Sequence, residues 1–190
     1  MPKAAPKTEN AKIAAAALRL AATKGWAGVT CDSLAKEAKL SPSALKKRFA
    51  APHEFVPIIV GEVTREALSL AGNPRGAPHD VLFELLMARF DVLQKNRKGI
   101  LAMAEAGRRD SKLFCTFLRA VLKGIESTAD AAKLSSPPRP ILIAGLSAVS
   151  AAAFLAWRRD ETRDMSKTMA ALDRALKLAG STVVFFKQSF

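Results

Sequence analysis

The stretch LSPSALKKRF, residues 40–49, sets a serine and a proline ahead of a short segment that ends in three cations and a phenylalanine. Ser41 is a strong helix N-cap, and Pro42 at the first helical position gives up no hydrogen bond, so a helix starts here and ends near Phe49. Upstream, GVT (residues 28–30) precedes CDSLAKEA. Thr30 can cap that helix, and Asp32 suits the positive end of its dipole. Two short helices joined by the turn AKLSP are the plan of a helix-turn-helix, whose second arm lies in the major groove. On that plan Leu34, Ala35, Ala38, Leu40, Leu45 and Phe49 form a small core between the arms. Thr30, Ser41, Ser43, Ala44, Lys46, Lys47 and Arg48 stay outside as candidate contacts to double-stranded DNA. The cations suit phosphates, and arginine also suits guanine edges. Judged on charge alone, the same cations are a solvated surface.

Order and spacing over a longer stretch shift that balance. IAAAALRLAATKGWAGVTCDSLAKEAKLSPSALKKRFAAPHEF, residues 13–55, resembles the N-terminal domain of the tetracycline-repressor (TetR) family of regulators. The GW, the GVT, the LA..A.LS core and turn, Leu45 and Phe49, and an acidic residue opening the fourth helix carry the resemblance. It implies a dimer with a small helix-turn-helix domain and a larger helical domain that binds a small molecule, whose binding usually releases DNA. Two positions depart from the family pattern. Lys46 stands where an aromatic residue, most often tyrosine, usually lies beside the third-helix leucine, and Pro52 stands where a lysine usually opens the fourth helix. Both family residues commonly touch phosphates, and a proline has no N–H to donate.

Composition agrees with a nucleic-acid or membrane-surface partner. The chain has 190 residues, 49% of them hydrophobic, enough for a sizeable core, which excludes a disordered tail or a disulfide miniprotein. Its net charge of +13 is uneven, with ten Lys/Arg against three Asp/Glu in the first 50 residues. Such asymmetry points to a polyanion. Cys31 and Cys115 share no metal or redox spacing, and MPKAAPKTEN lacks the apolar core of a signal peptide, so the expectation is a reduced, cytoplasmic protein. ILIAGLSAVSAAAFLAW (141–157) is 17 residues long and diluted by Gly145, Ser147, Ser150 and alanines, short of the roughly 20 a span needs. It reads as a buried or interface helix, with no transmembrane segment.

Helical periods recur throughout and no stretch alternates at strand length, so the fold is all-α, with about nine helices. The first helix spans about 8–24, and AAPHE opens the fourth, running toward Ala71 with a late start or kink at Pro57. GNPRGAP (72–78) is a linker, and further helices follow near 79–95, 97–107, 111–132, 139–159 and 165–186, with Asp110 and Asp164 as caps. The domains are a helix-turn-helix at 1–52 and a ligand-binding and dimerisation domain at 53–190, with the fourth helix as connector.

HDVLFELLMARFDVLQKNRKGI (79–100) and, more loosely, LAWRRDETRDMSKTMAALDRALKLA (155–179) resemble a TetR-like subgroup akin to the ubiquinone-biosynthesis accessory family. Those are lipid-binding proteins of this fold that do not repress DNA, and they supply the alternative function. Phe83, Leu86, Phe90, Phe114, Phe117, Val121, Phe154 and Trp157 are the candidate lining of an apolar pocket for a hydrophobic small molecule or lipid. Such a stripe is more often ordinary core. Arg89, Thr116 and Trp157 are the polar groups available to orient a ligand. The resemblance puts a homodimer interface on the last two helices, where small residues allow close approach, and the apolar end VVFFKQSF (183–190) reads either as its cap or as a membrane contact.

An enzyme is not expected. His53 and His79 have no metal-ligand spacing, so no metal is expected. GxSxG, P-loop and GxGxxG motifs are absent, so no cofactor is expected either.

Overall fold

The computed structural model describes residues 8–188, with side chains as far as Ser181. Among the described residues there are nine α-helices and no strand. They are α1 (Glu9–Lys24), α2 (Cys31–Ala38), α3 (Pro42–Arg48), α4 (Val56–Ala71), α5 (Pro78–Lys95), α6 (Arg97–Gly107), α7 (Ser111–Ala132), α8 (Arg139–Arg159) and α9 (Ser166–Gln188). Most of the expected boundaries hold because local chemistry sets them. Thr8 caps α1 through its hydroxyl, and Gly25 ends it at φ 70°. Asp110 caps α7 by accepting from the backbone N–H groups of Lys112 and Leu113 at 2.9 and 3.1 Å. The expected late start of α4 takes the form of a 3-10 turn, Pro52–Phe55. Pro57 then falls in the first turn of α4, where a missing N–H costs no helical bond.

Internal contacts group the chain into two compact units, Met1–Arg65 with Leu93–Val121, and Glu66–Val92 with Leu122–Phe190. In the first unit α1 packs on α2 and α6, with Ile13, Ala16 and Ala17 fully buried. The approach of α6 to α1 is close because Gly99 has no side chain. A methyl there would stand 2.3 Å from the Leu18 carbonyl oxygen.

In the second unit Val81, Leu85 and Ala132 form a core cluster, flanked by Leu68, Leu82 and Leu134. Here too α8 packs along α9 and buries Leu142, Leu146, Val149, Ala153 and Trp157, one stripe at helical spacing. The opposite stripe is apolar and uncovered. Ile141 and Leu155 are 52% and 58% exposed, and Ala144, Ala148, Ala151 and Ala152 between them are exposed as well. Among the described helices α8 alone is long and apolar enough to cross a membrane. The terminal 183–190 stretch lies outside the residues whose side chains are described.

The corner between α8 and α9 is held by Asp160, which is 2% exposed. Its Oδ2 accepts from both the backbone N–H and the hydroxyl of Thr168 at 2.7 Å, and its Oδ1 accepts from the N–H of Thr162 at 3.0 Å. Asp164, the cap expected from sequence, accepts only from the N–H of Ser166 at 3.2 Å. Burial pushes the Asp160 carboxyl up, but the hydrogen bonds from Thr162 and Thr168 outweigh it and hold the group well below the usual carboxylate range. A depressed folded value means that the stabilisation is complete above the unfolded value of about 3.9 and drains away as pH falls toward the folded one. Asp160→Asn is therefore expected to destabilise the protein by about 2 kcal/mol at neutral pH. In urea unfolding at stepped pH, the gap from wild type should stay constant down to roughly pH 4 and narrow below it. A gap indifferent to acid would contradict this role.

Candidate functional site

The first unit builds a basic surface from a short sequence. Thr30 caps α2, accepting from the Ser33 N–H at 3.2 Å, while Ser33 returns the bond by accepting from the Thr30 N–H at 2.9 Å. The chain then turns at Lys39, which adopts a left-handed φ of 56°. Ser41 caps α3, with its hydroxyl 3.5 Å from the Ala44 N–H and 2.9 Å from the Ser43 hydroxyl. Leu34, Ala35, Ala38, Leu45 and Phe49 are buried, and Leu40 is half-buried. Phe49 also meets the Phe55 ring at 4.8 Å. With that face turned inward, Ser41, Ser43, Ala44, Lys46, Lys47 and Arg48 are all exposed, as is Thr30.

The three cations are not equivalent. Lys46 lies 2.7 Å from Asp32, whose hydrogen bond raises the lysine's pKa. Arg48 donates to Glu9 and to Asn10, and its guanidinium sits 5.0 Å from the Phe49 ring centroid. Lys47 alone makes no ion pair among the described residues. Sequence reasoning missed Glu9 and Asp32 as partners. Exposed pairs of this kind contribute little to stability, so an anion from outside can displace either carboxylate at small cost.

The eight residues named as a pocket fall in both units. Phe90, Phe154 and Trp157 come together in the second, with ring centroids 6.5 Å apart for Phe90–Trp157 and 5.4 Å for Phe154–Trp157. Leu86 and Phe90 are buried, and Trp157 is wholly so. Phe83 instead stacks on His79 at 6.3 Å. Phe114, Phe117 and Val121 belong to the first unit, and Phe114 is 51% exposed.

Each unit carries an open cleft among the described residues. The first unit has one of about 360 Å³, lined by His53, Ser111, Lys112, Cys115, Thr116 and Arg119, without a carboxylate. A cleft of about 550 Å³ in the second unit is lined by Phe83 and Met169 together with His79, Asp80, Glu84 and Asp173. His79 Nδ1 lies 3.1 Å from Asp80, and its Nε2 is at ion-pair distance from Asp173, 3.1 Å, but without hydrogen-bond geometry. The Lys177 ammonium, more than His79, holds the Asp173 carboxyl below its ordinary range. No group of three or more metal-ligating side chains occurs among the described residues.

The least ordinary group of the second unit is Arg89. It is 9% exposed, and its Nη1 is buried without a hydrogen-bond partner. No ion pair of Arg89 with any described carboxylate is found. Burial pulls its pKa down to about 10, so it is still charged at neutral pH. A buried guanidinium left unpaired is among the most destabilising arrangements a core can hold.

No protein-family profile and no curated protein matches this sequence. Solved structures do. A TetR transcriptional regulator from Nitrosomonas europaea superimposes with a TM-score of 0.72 at 20% identity, covering 92% of this chain and 99% of its own. The chain has the fold of the TetR-family transcriptional regulators. A second TetR regulator, from Rhodococcus sp. RHA1, gives a TM-score of 0.65 at 16% identity over 90% of this chain and 94% of its own. The multidrug binding protein EbrR, solved with imidazole, gives 0.53 at 17% identity over 90% of this chain and 96% of its own.

Proposed function

We propose that this chain is a cytoplasmic, dimeric, TetR-like regulator that binds a pseudo-palindromic operator through α3 and is modulated by a hydrophobic ligand in its helical second part. The observation that carries this reading is the seating of α3. Leu45 and the C-capping Phe49 are buried, and every polar or cationic side chain from Ser41 to Arg48 faces out. That is the disposition a reading helix needs, with phosphate contacts for register and Arg48 for base edges. The regulators of like fold support it, and EbrR, a multidrug binding protein, supports the ligand.

Dimerisation is supported by the uncovered stripe of α8. Ile141, the exposed alanines and Leu155 form a flat apolar face nearly the length of the helix, beside the 70% exposed Leu178 of α9. Small residues let another helix approach closely, and a two-fold axis would set paired α3 helices on half-sites roughly 34–36 Å apart. Leu155→Glu buries a charge in that interface, and light scattering should show a dimer for wild type and a monomer for the variant. A wild-type monomer, or a variant that stays dimeric, would count against this face.

The pairing of Lys46 and Arg48 with carboxylates of their own chain favours a second reading, a lipid-binding accessory protein that does not bind DNA. Titration of a duplex pool across a salt series separates the two. For a regulator, Lys47→Ala weakens binding to every duplex and lowers the salt slope by about 1 without changing Tm, and Asp32→Asn, which releases Lys46, strengthens binding to every duplex. Affinity and slope indifferent to both changes would favour the accessory reading.

A further inference from the structure

The buried polar atoms without partners among the described residues are three: His79 Nε2, Arg89 Nη1 and Ser150 Oγ. All belong to the second unit. His79 still has Asp173 within ion-pair distance, which leaves Arg89 on α5 and Ser150 on α8 unexplained. These two helices also carry the facing rings of Phe90 and Trp157. Ser150 shares a helical face with Phe154 and Trp157, at spacings of four and seven residues. Its hydroxyl is unusual in this molecule, since those of Thr64, Thr116, Thr128 and Ser147 all donate to the carbonyl four residues back.

Buried polar groups in native proteins have partners, and a buried cation has an anion. Arg89 has neither within the described chain, although α5 holds Asp80, Glu84 and Asp91 on its own turns. Its neighbours along the helix are apolar, with Leu85, Leu86, Phe90 and Val92 all buried. A charge kept in such a place without a protein partner is explained by a partner that arrives from outside. That partner must be anionic at one end, to meet a planar fork of donors, and apolar along the rest, to displace nothing but side-chain contacts.

We propose that the second unit binds an acidic amphiphile, a molecule with one carboxylate or phosphate head and an apolar body, whose head pairs with the Arg89 guanidinium. The body lies against the apolar faces of α5 and α8 beside Phe90, Phe154 and Trp157, and Ser150 offers a further hydrogen bond. This deepens the ligand half of the proposed regulator and rests on it. The proposal stands apart from DNA binding, because the titration below needs no DNA and the duplex titration above uses ligand-free protein.

The test is calorimetric titration of the full-length protein with dodecanoate, dodecyl phosphate and dodecanol, for wild type, Arg89→Met and Arg89→Lys, alongside the ligand-free Tm of each. Wild type should bind one of the two anions at least ~10-fold more tightly than the alcohol, and whichever anion wins names the head group. Arg89→Met should lose that preference yet raise the ligand-free Tm, since it replaces an unpaired buried charge by an apolar chain of similar length. Arg89→Lys should keep part of the preference, with the charge retained and the fork lost. Equal binding of acid and alcohol by wild type, or no binding of either, would overturn the proposal even if the methionine variant failed to fold. A fall in the ligand-free Tm of Arg89→Met would overturn it too, because it would make Arg89 a structural residue.

Discussion

The inward seating of Leu45 and Phe49 is the constraint on which the functional surface depends. Leu45 is 2% exposed and Phe49 8%, with Phe49 against the Phe55 ring. On a helix of seven residues, burying Leu45 within it and Phe49 at its C-cap fixes the direction of all the others. The caps at Thr30 and Ser41 set where each arm begins, and the left-handed Lys39 sets the turn between them. The basic face thus follows from core packing, and it would be there whether or not DNA ever meets it.

Electrostatics decide what that face can do. Two of its three cations already have carboxylates at hand, so its free field is smaller than the sequence charge implies. Those pairs are exposed and weak, so a backbone phosphate, which carries the same single charge, can take the place of either carboxylate. In the proposed regulator Asp32 and Glu9 would restrain binding to any duplex and leave Lys47 as the standing phosphate contact. On that reading Lys46, which lies 2.7 Å from Asp32, would have to be released before it could meet a phosphate.

Helices and their ends were legible because short-range chemistry fixes them. Thr30, Ser41 and Asp110 cap where they were expected to, and Gly25 and GNPRGAP break the chain. Contacts across long sequence separations were not legible. Arg48 meets Glu9 across 39 residues, and Asp160 reaches eight residues ahead to Thr168, displacing Asp164 from the main capping role. The pocket stripe was only half legible for a related reason. Helical spacing marks Phe90, Phe114 and Phe154 alike as one-sided apolar residues, but only packing brings Phe154 and Phe90 to Trp157 and leaves Phe114 half in water. Arg89 was legible only as one of three polar groups near the apolar stripe, with Thr116 and Trp157, and the structure alone shows that it is buried without an anion.

The central claim is that α3 reads sequence. Selection of short duplexes from a random pool by the purified protein tests it most directly, followed by affinity for the enriched duplex and a scrambled one at several salt concentrations. A pseudo-palindrome with half-sites about one helical turn apart, bound at least ~10³ more tightly than the scrambled duplex, is the expected result. Enrichment of no motif, with weak binding that disappears as salt rises, would contradict it and reduce Lys46, Lys47 and Arg48 to a generic basic surface.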